Sequence, residues 1–95
     1  MNIGSAIKLI RKEKGFSQKE LAEKCEISVN ALSQIEINAT FPQKGTISRI
    51  CEVLGIPVSY LLFFSLNEED VPEDKRKAFN ALNLAIKGLL LSGDE

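Results

Sequence analysis

The chain has 95 residues, a formal net charge of −1 and 44 % hydrophobic side chains. That fits one small globular domain with a short appendage and excludes a disordered chain. No apolar run approaches the 18 residues of a membrane span and no charged-then-apolar leader opens the chain, so a cytoplasmic protein without membrane association is expected.

The first predicted helix starts at Asn2 or Ser5 and runs to Lys14. Ile3, Ile7 and Ile10 recur on one face with Ala6 beside them, and Gly15 suits the C′ position. Phe16 then precedes a sharp start signal. Ser17 is followed three residues later by Glu20, the spacing of a capping box, and Phe16 stands where a hydrophobic staple belongs. Leu21, Ala22 and Cys25 make a narrow apolar stripe over a helix at 18–25. After the break at Cys25-Glu26-Ile27-Ser28, Ser28 caps again, and Ala31, Leu32 and Ile35 form a second stripe over 29–36. Two such short helices bury little alone, which points to a helix-turn-helix braced by others.

Residues 37–43 read as a loop in which Asn38 is suited to a left-handed conformation. A fourth helix runs from Gly45 or Thr46 to Leu54, with Ile47, Ile50, Cys51 and Leu54 inward and Gly55 closing it. Pro57 opens a fifth helix that reaches Phe63. Ser65 to Val71 reads as an acidic linker. Pro72 suits the first turn of a sixth, amphipathic helix that ends near Leu91, within a tail of residues 72–95. Phe79, Leu82, Ile86 and Leu89 step along it by three, four and three residues. That seam must be buried, and it is read as a dimerisation element that pairs with a second copy, the alternative being that it folds back on its own domain.

There is no histidine, which removes the usual general base and the commonest metal ligand. Cys25 and Cys51 are too isolated for a zinc site and read as buried free thiols, with a disulfide as the alternative. Scattered glycines make no phosphate loop. Neither an enzyme nor a cofactor or metal site is expected.

The residues between Ile3 and Leu62 resemble the Cro/C1-type, or phage-repressor-like (XRE), helix-turn-helix family. The likeness is carried by Arg11, Ser17-Gln18, Leu21-Ala22, Ile27-Ser28, Leu32-Ser33, Ile35-Glu36, Pro42, Ile47, Ile50, Leu54-Gly55 and Tyr60-Leu61-Leu62. It implies an all-α, five-helix lambda-repressor-like domain at residues 1–64 that binds operator DNA, usually as a homodimer, and usually represses transcription. The tail beyond Phe64 lies outside the likeness and would be an additional C-terminal helix.

Carried onto this chain, the family pattern makes Gln18 a phosphate contact at a helix N-terminus that also braces the reading helix, where an ordinary exposed glutamine is the alternative. It places the third helix in the major groove with Val29, Asn30, Ser33 and Gln34 outward. Asn and Gln bond an adenine edge, and Val29 meets a thymine methyl. Ser17, Ser28 and Asn38 join the DNA-facing set, and Lys19 and Lys44, with Lys12 and Lys14, are phosphate candidates. Arg11 and Glu36 are implied to form a structural salt bridge. The pattern often has glycine where Glu26 stands, so either Glu26 adopts positive φ at a cost of roughly 1 kcal/mol or the turn differs from the family's.

The overall charge speaks against nucleic acid, but its distribution does not. Residues 1–64 carry eight basic side chains against six acidic ones, and residues 65–95 carry four against seven. The rival reading is a protein-interaction module, antitoxin-like or holding a larger regulator, with weak DNA affinity. Salt dependence of DNA binding separates the two.

Overall fold

The computed structural model describes residues 2–92, the side chains of 89–92 excepted, and every regular element in that range is helical. Helix α1 (Ile3–Glu13) turns Ile3, Ala6, Ile7 and Ile10 into the core. It stops where Gly15 takes φ +83°, a left-handed conformation that costs a residue without Cβ nothing. Phe16 packs on the core just ahead of α2 (Gln18–Cys25). Glu26 ends α2 at φ 60°, and the Ile27 amide closes the turn on Ala22 O at 3.0 Å. Helix α3 (Val29–Glu36) follows at once.

Helix α4 (Lys44–Leu54) begins one or two residues earlier than the sequence reading placed it. Gln43 is already extended (ψ 160°) and gives no side-chain cap. Gly55 ends α4 at φ 73°, and Pro57 stands as the extended N-cap of α5 (Val58–Ser65). Helix α1 packs on α3 and α5, α2 on α3 and α4, and α4 on α5. Ile7, Ile10, Leu21, Leu32, Ile50 and Leu61 are wholly buried at the centre. Each contributes about 1.5–3 kcal/mol of gross burial energy. Cys25 and Cys51 are buried free thiols. Burial pushes both thiols up, with Arg49 partly offsetting this at Cys25, so both stay protonated and unreactive at neutral pH.

The second stripe differs from expectation. Leu32 and Ile35 are buried, but Ala31 is exposed and lines a surface groove with Ile27, Phe41 and Pro42. Position 31 lies just off the inward face, and an alanine's small apolar area gives no strong reason to turn inward. Ile37, past the end of α3, is also exposed.

The tail departs from the sequence reading more. Ser65 is not linker but the last residue of α5. It is fully buried, with its hydroxyl donating to Leu61 O at 2.8 Å. Two single-turn 3₁₀ helices, Glu68–Asp70 and Glu73–Lys75, occupy the segment read as linker and as the first turn of the sixth helix. Helix α6 (Arg76–Ser92) therefore starts four residues later than expected. Pro72 is extended (ψ 144°), because the chain must turn before it can coil. Along α6, Phe79 and Ile86 are half-buried, whereas Leu82 is exposed; the Leu89 side chain lies outside the described residues.

Candidate nucleic-acid interface

The α2-turn-α3 unit is set by two serine caps. Ser17 Oγ accepts from the Glu20 amide at 3.0 Å, and Glu20 Oε1 accepts from the Ser17 amide at 2.8 Å. That backbone bond, with the hydroxyl behind it, holds the Glu20 carboxyl below its ordinary range. Ser28 Oγ accepts from the Ala31 amide at 2.9 Å and starts α3. Both serines thus spend their acceptor oxygens on orphan helix amides.

Beneath the unit lies a polar knot. Arg11 Nε donates to Glu36 Oε2 at 2.7 Å, and Arg11 Nη2 donates to Glu36 Oε1 at 3.1 Å. A third bond runs from Arg11 Nη1 to Phe16 O at 2.8 Å. The side chains are 7 % and 1 % exposed. The two-pronged geometry suits a guanidinium against a carboxylate. Gln18 joins the knot, its Nε2 donating to Glu36 Oε1 at 2.9 Å. The first residue of α2 is thereby tied to the last residue of α3 and, through Arg11, to α1. One carboxylate sets the angle between the two helices and holds the Gln18 amide at the N-terminus of α2. By contrast, the exposed Arg49–Glu26 contact at 3.5 Å contributes little.

A second knot lies just past the same, C-terminal, end of α3. Asn38 has φ 63°, and its Oδ1 accepts from the Gly4 amide at 3.0 Å while its Nδ2 donates to Ser5 Oγ at 3.1 Å. Asn38, read as DNA-facing, therefore has both ends of its amide engaged with α1. The contact requires glycine at position 4. A Cβ there would overlap the Ile35 carbonyl oxygen and come within 2.7 Å of Asn38 Oδ1.

With α3 capped by Ser28 at its start and tied by both knots at its C-terminal end, its outer face is left to solvent. Val29 and Asn30 are exposed, and Ser33 and Gln34 are half-buried. Gln34 lines a groove of about 320 Å³ with Ala31, Thr40, Phe41 and Gln43. Lys19 is exposed on the first turn of α2, and Lys44, also exposed, opens α4. Phe41, Thr40 and Gln43 were not singled out in the sequence. They lie beside Gln34 because the loop after α3 doubles back, and a lone aromatic in a polar loop was the one signal for them. Among the described residues, no group of three or more cysteine, aspartate or glutamate side chains is placed to hold a metal ion. None of the described helices is by itself long and apolar enough to cross a membrane.

Comparison with known proteins agrees with this architecture. A family profile described as "Helix-turn-helix" matches residues 7–61. The immunity repressor protein of Bacillus phage phi105 is 33 % identical over 81 residues, which cover 85 % of this chain and 54 % of the repressor. The HTH-type transcriptional regulator SinR of Bacillus licheniformis is 43 % identical over 72 residues, covering 75 % of this chain and 61 % of SinR. The chain thus spans a little over half the length of these curated relatives. A solved structure, that of the clp gene regulator ClgR from Corynebacterium glutamicum, superposes with a TM-score of 0.66. The match covers 99 % of this chain and 93 % of that one, at 22 % identity, a likeness of fold alone. Together, the profile match over residues 7–61 and the identity to named repressors and regulators place the chain in the Cro/C1-type helix-turn-helix family of DNA-binding transcription regulators.

Proposed function

We propose that this protein is a small repressor that binds an operator sequence in double-stranded DNA as a two-fold pair of copies, with no catalytic activity of its own. The observation that carries the reading is the outer face of α3. The Ser28 cap starts the helix, a buried knot at Glu36 and a more exposed one at Asn38 tie its C-terminal end, and none of them uses the side chains of Val29, Asn30, Ser33 or Gln34. Asn30 and Gln34 then reach base edges and Val29 meets a thymine methyl. Ser17, Gln18, Lys19, Ser28 and Lys44 meet phosphates. Asn38 serves indirectly, by holding α3 against α1.

Pairing is assigned to α6. Leu82 is 53 % exposed and Leu84 is 74 % exposed. Leucines on an amphipathic helix are stabilised by a second copy, and a C2 pair matches a palindromic operator. Neither a metal nor a cofactor has a part in this reading, and the protein works in the cytoplasm.

Two measurements test it. Affinity for a duplex selected from a random pool should fall steeply as salt rises, with a slope set by the phosphates neutralised. An absence of duplex binding at low salt, or a salt-independent affinity, would replace this reading with the protein-interaction module. Molecular mass at micromolar concentration should show a dimer that Leu82→Glu with Leu84→Glu dissociates. A dimer indifferent to both changes would move the interface off α6.

A further inference from the structure

The segment between α5 and α6 has the composition of a loose acidic linker, and a loose linker would have a definite consequence. Seven flexible residues span roughly 15 Å root-mean-square. That is about four base pairs at the roughly 3.4 Å rise implied by a 34–36 Å turn. A protein joined to its pairing helix so loosely would accept half-sites at many spacings.

The segment is folded instead. Ser65 is buried, and its carbonyl accepts from the Asn2 amide at 2.8 Å. The first 3₁₀ turn closes on itself twice. Asn67 N donates to Asp70 Oδ2 at 2.9 Å, and Asp70 N donates to Asn67 O at 2.9 Å. Arg76, the first residue of α6, reaches back over this turn. Its Nε donates to Glu68 O at 2.9 Å and to Val71 O at 3.2 Å. A cation at a helix N-terminus opposes the helix dipole. Arg76 occupies that position with its guanidinium turned back onto the carbonyls of the preceding turn. One helical turn further on, the Phe79 ring lies 5.6 Å from the Phe63 ring of α5, tilted by 40°. The polar tie holds α6 to the 3₁₀ turn that precedes it, and the apolar tie joins α6 to α5 of the domain that carries α3.

We propose that Arg76, with the Phe63–Phe79 contact, makes residues 65–76 a rigid elbow that sets the angle of α6 and so restricts the paired protein to one operator half-site spacing. The inference rests on the reading of α6 as the pairing helix. Arg76 is a positioning residue for specificity and touches no DNA. One added base pair moves a half-site by about 3.4 Å and rotates it by about 35°. A rigid elbow cannot follow that change.

The test uses the full chain in two measurements. Backbone ¹⁵N relaxation should show the α6 amides tumbling with α1–α5 in the wild type, and partly uncoupled from them in Arg76→Ala. Binding is then measured to inverted repeats of the selected half-site, with the spacer changed by one and by two base pairs. The wild type should lose at least about tenfold in affinity at each single step, as expected when one half-site is forced off its contacts. Arg76→Ala should lose less than about threefold over the same steps, with unchanged affinity for an isolated half-site. A wild type with a flat spacing profile, a variant as selective as the wild type, or a wild-type α6 that tumbles independently would each overturn the elbow. If α6 tumbles with the domain but two copies never share a duplex, the pairing reading fails, and the spacing role with it. Should Arg76→Ala not fold, Phe79→Leu trims the other tie and is judged by the same outcomes.

Discussion

Removing Arg11 or Glu36 should be the most damaging polar change in this molecule. Arg11→Ala leaves the Glu36 carboxylate with one of its three donors, Gln18 Nε2. Glu36→Ala leaves the Arg11 guanidinium with one of its three bonds, to Phe16 O. In each case a charge that is almost fully buried loses most of its compensation. Breaking a buried pair from one side costs about 3–5 kcal/mol. A domain of this size has only about 5–14 kcal/mol in hand. Tm should fall by roughly 15–30 °C. Urea unfolding of both single variants and the double variant, followed by circular dichroism, gives the coupling energy. The double variant should be less damaged than the sum of the singles by about 1–3 kcal/mol. Arg11→Met with Glu36→Leu should recover more still, because an apolar pair has no charge to desolvate. The singles should also differ in function. At temperatures where both are folded, Glu36→Ala frees the Gln18 amide and weakens DNA binding, whereas Arg11→Ala keeps the Gln18–Glu36 bond. Losses that add within about 0.5 kcal/mol would show that the pair does not act as a unit.

Three further outcomes follow from the same geometry. Gly4→Ala should destabilise by about 1–3 kcal/mol in urea titration, since its Cβ meets a backbone oxygen that cannot rotate away. Asn30→Ala and Gln34→Ala should each weaken the selected duplex by about 1–3 kcal/mol and relax preference at one base pair, whereas Lys19→Ala should weaken all sequences alike and lower the salt slope by about one, both read by fluorescence anisotropy. The Glu20 and Asp70 carboxyls are held below their ordinary range by the Ser17 and Asn67 amides. Because the folded values are depressed, these caps stabilise the fold at neutral pH and are lost as pH falls through those lowered values, which side-chain NMR titration should report as midpoints below those of the unfolded chain.

Much of the fold was legible because it is written locally. Ser17, Glu20 and Ser28 announce helix starts through bonds made within three residues, and Gly15 and Gly55 announce ends through backbone freedom. The repeats Ile3-Ile7-Ile10 and Ile50-Cys51-Leu54 name the inward faces because a helix has a fixed period. What required tertiary structure involves partners distant along the chain. Gln18 reads from the family pattern as a phosphate contact and a brace for the third helix, but only the packed helices show that the brace is its amide bond to Glu36, 18 positions later. Asn38 has the composition of a DNA contact, yet its amide is engaged by Gly4 and Ser5 of α1. The acidic run after Ser65 reads as linker because its apolar content is low. It is ordered by Arg76 and by one aromatic contact to α5, and neither leaves a periodic trace. Periodicity and caps reveal which face is buried. The partner of a hydrogen bond between residues far apart in the chain is chosen by the packing of helices, so it exists only once they are packed.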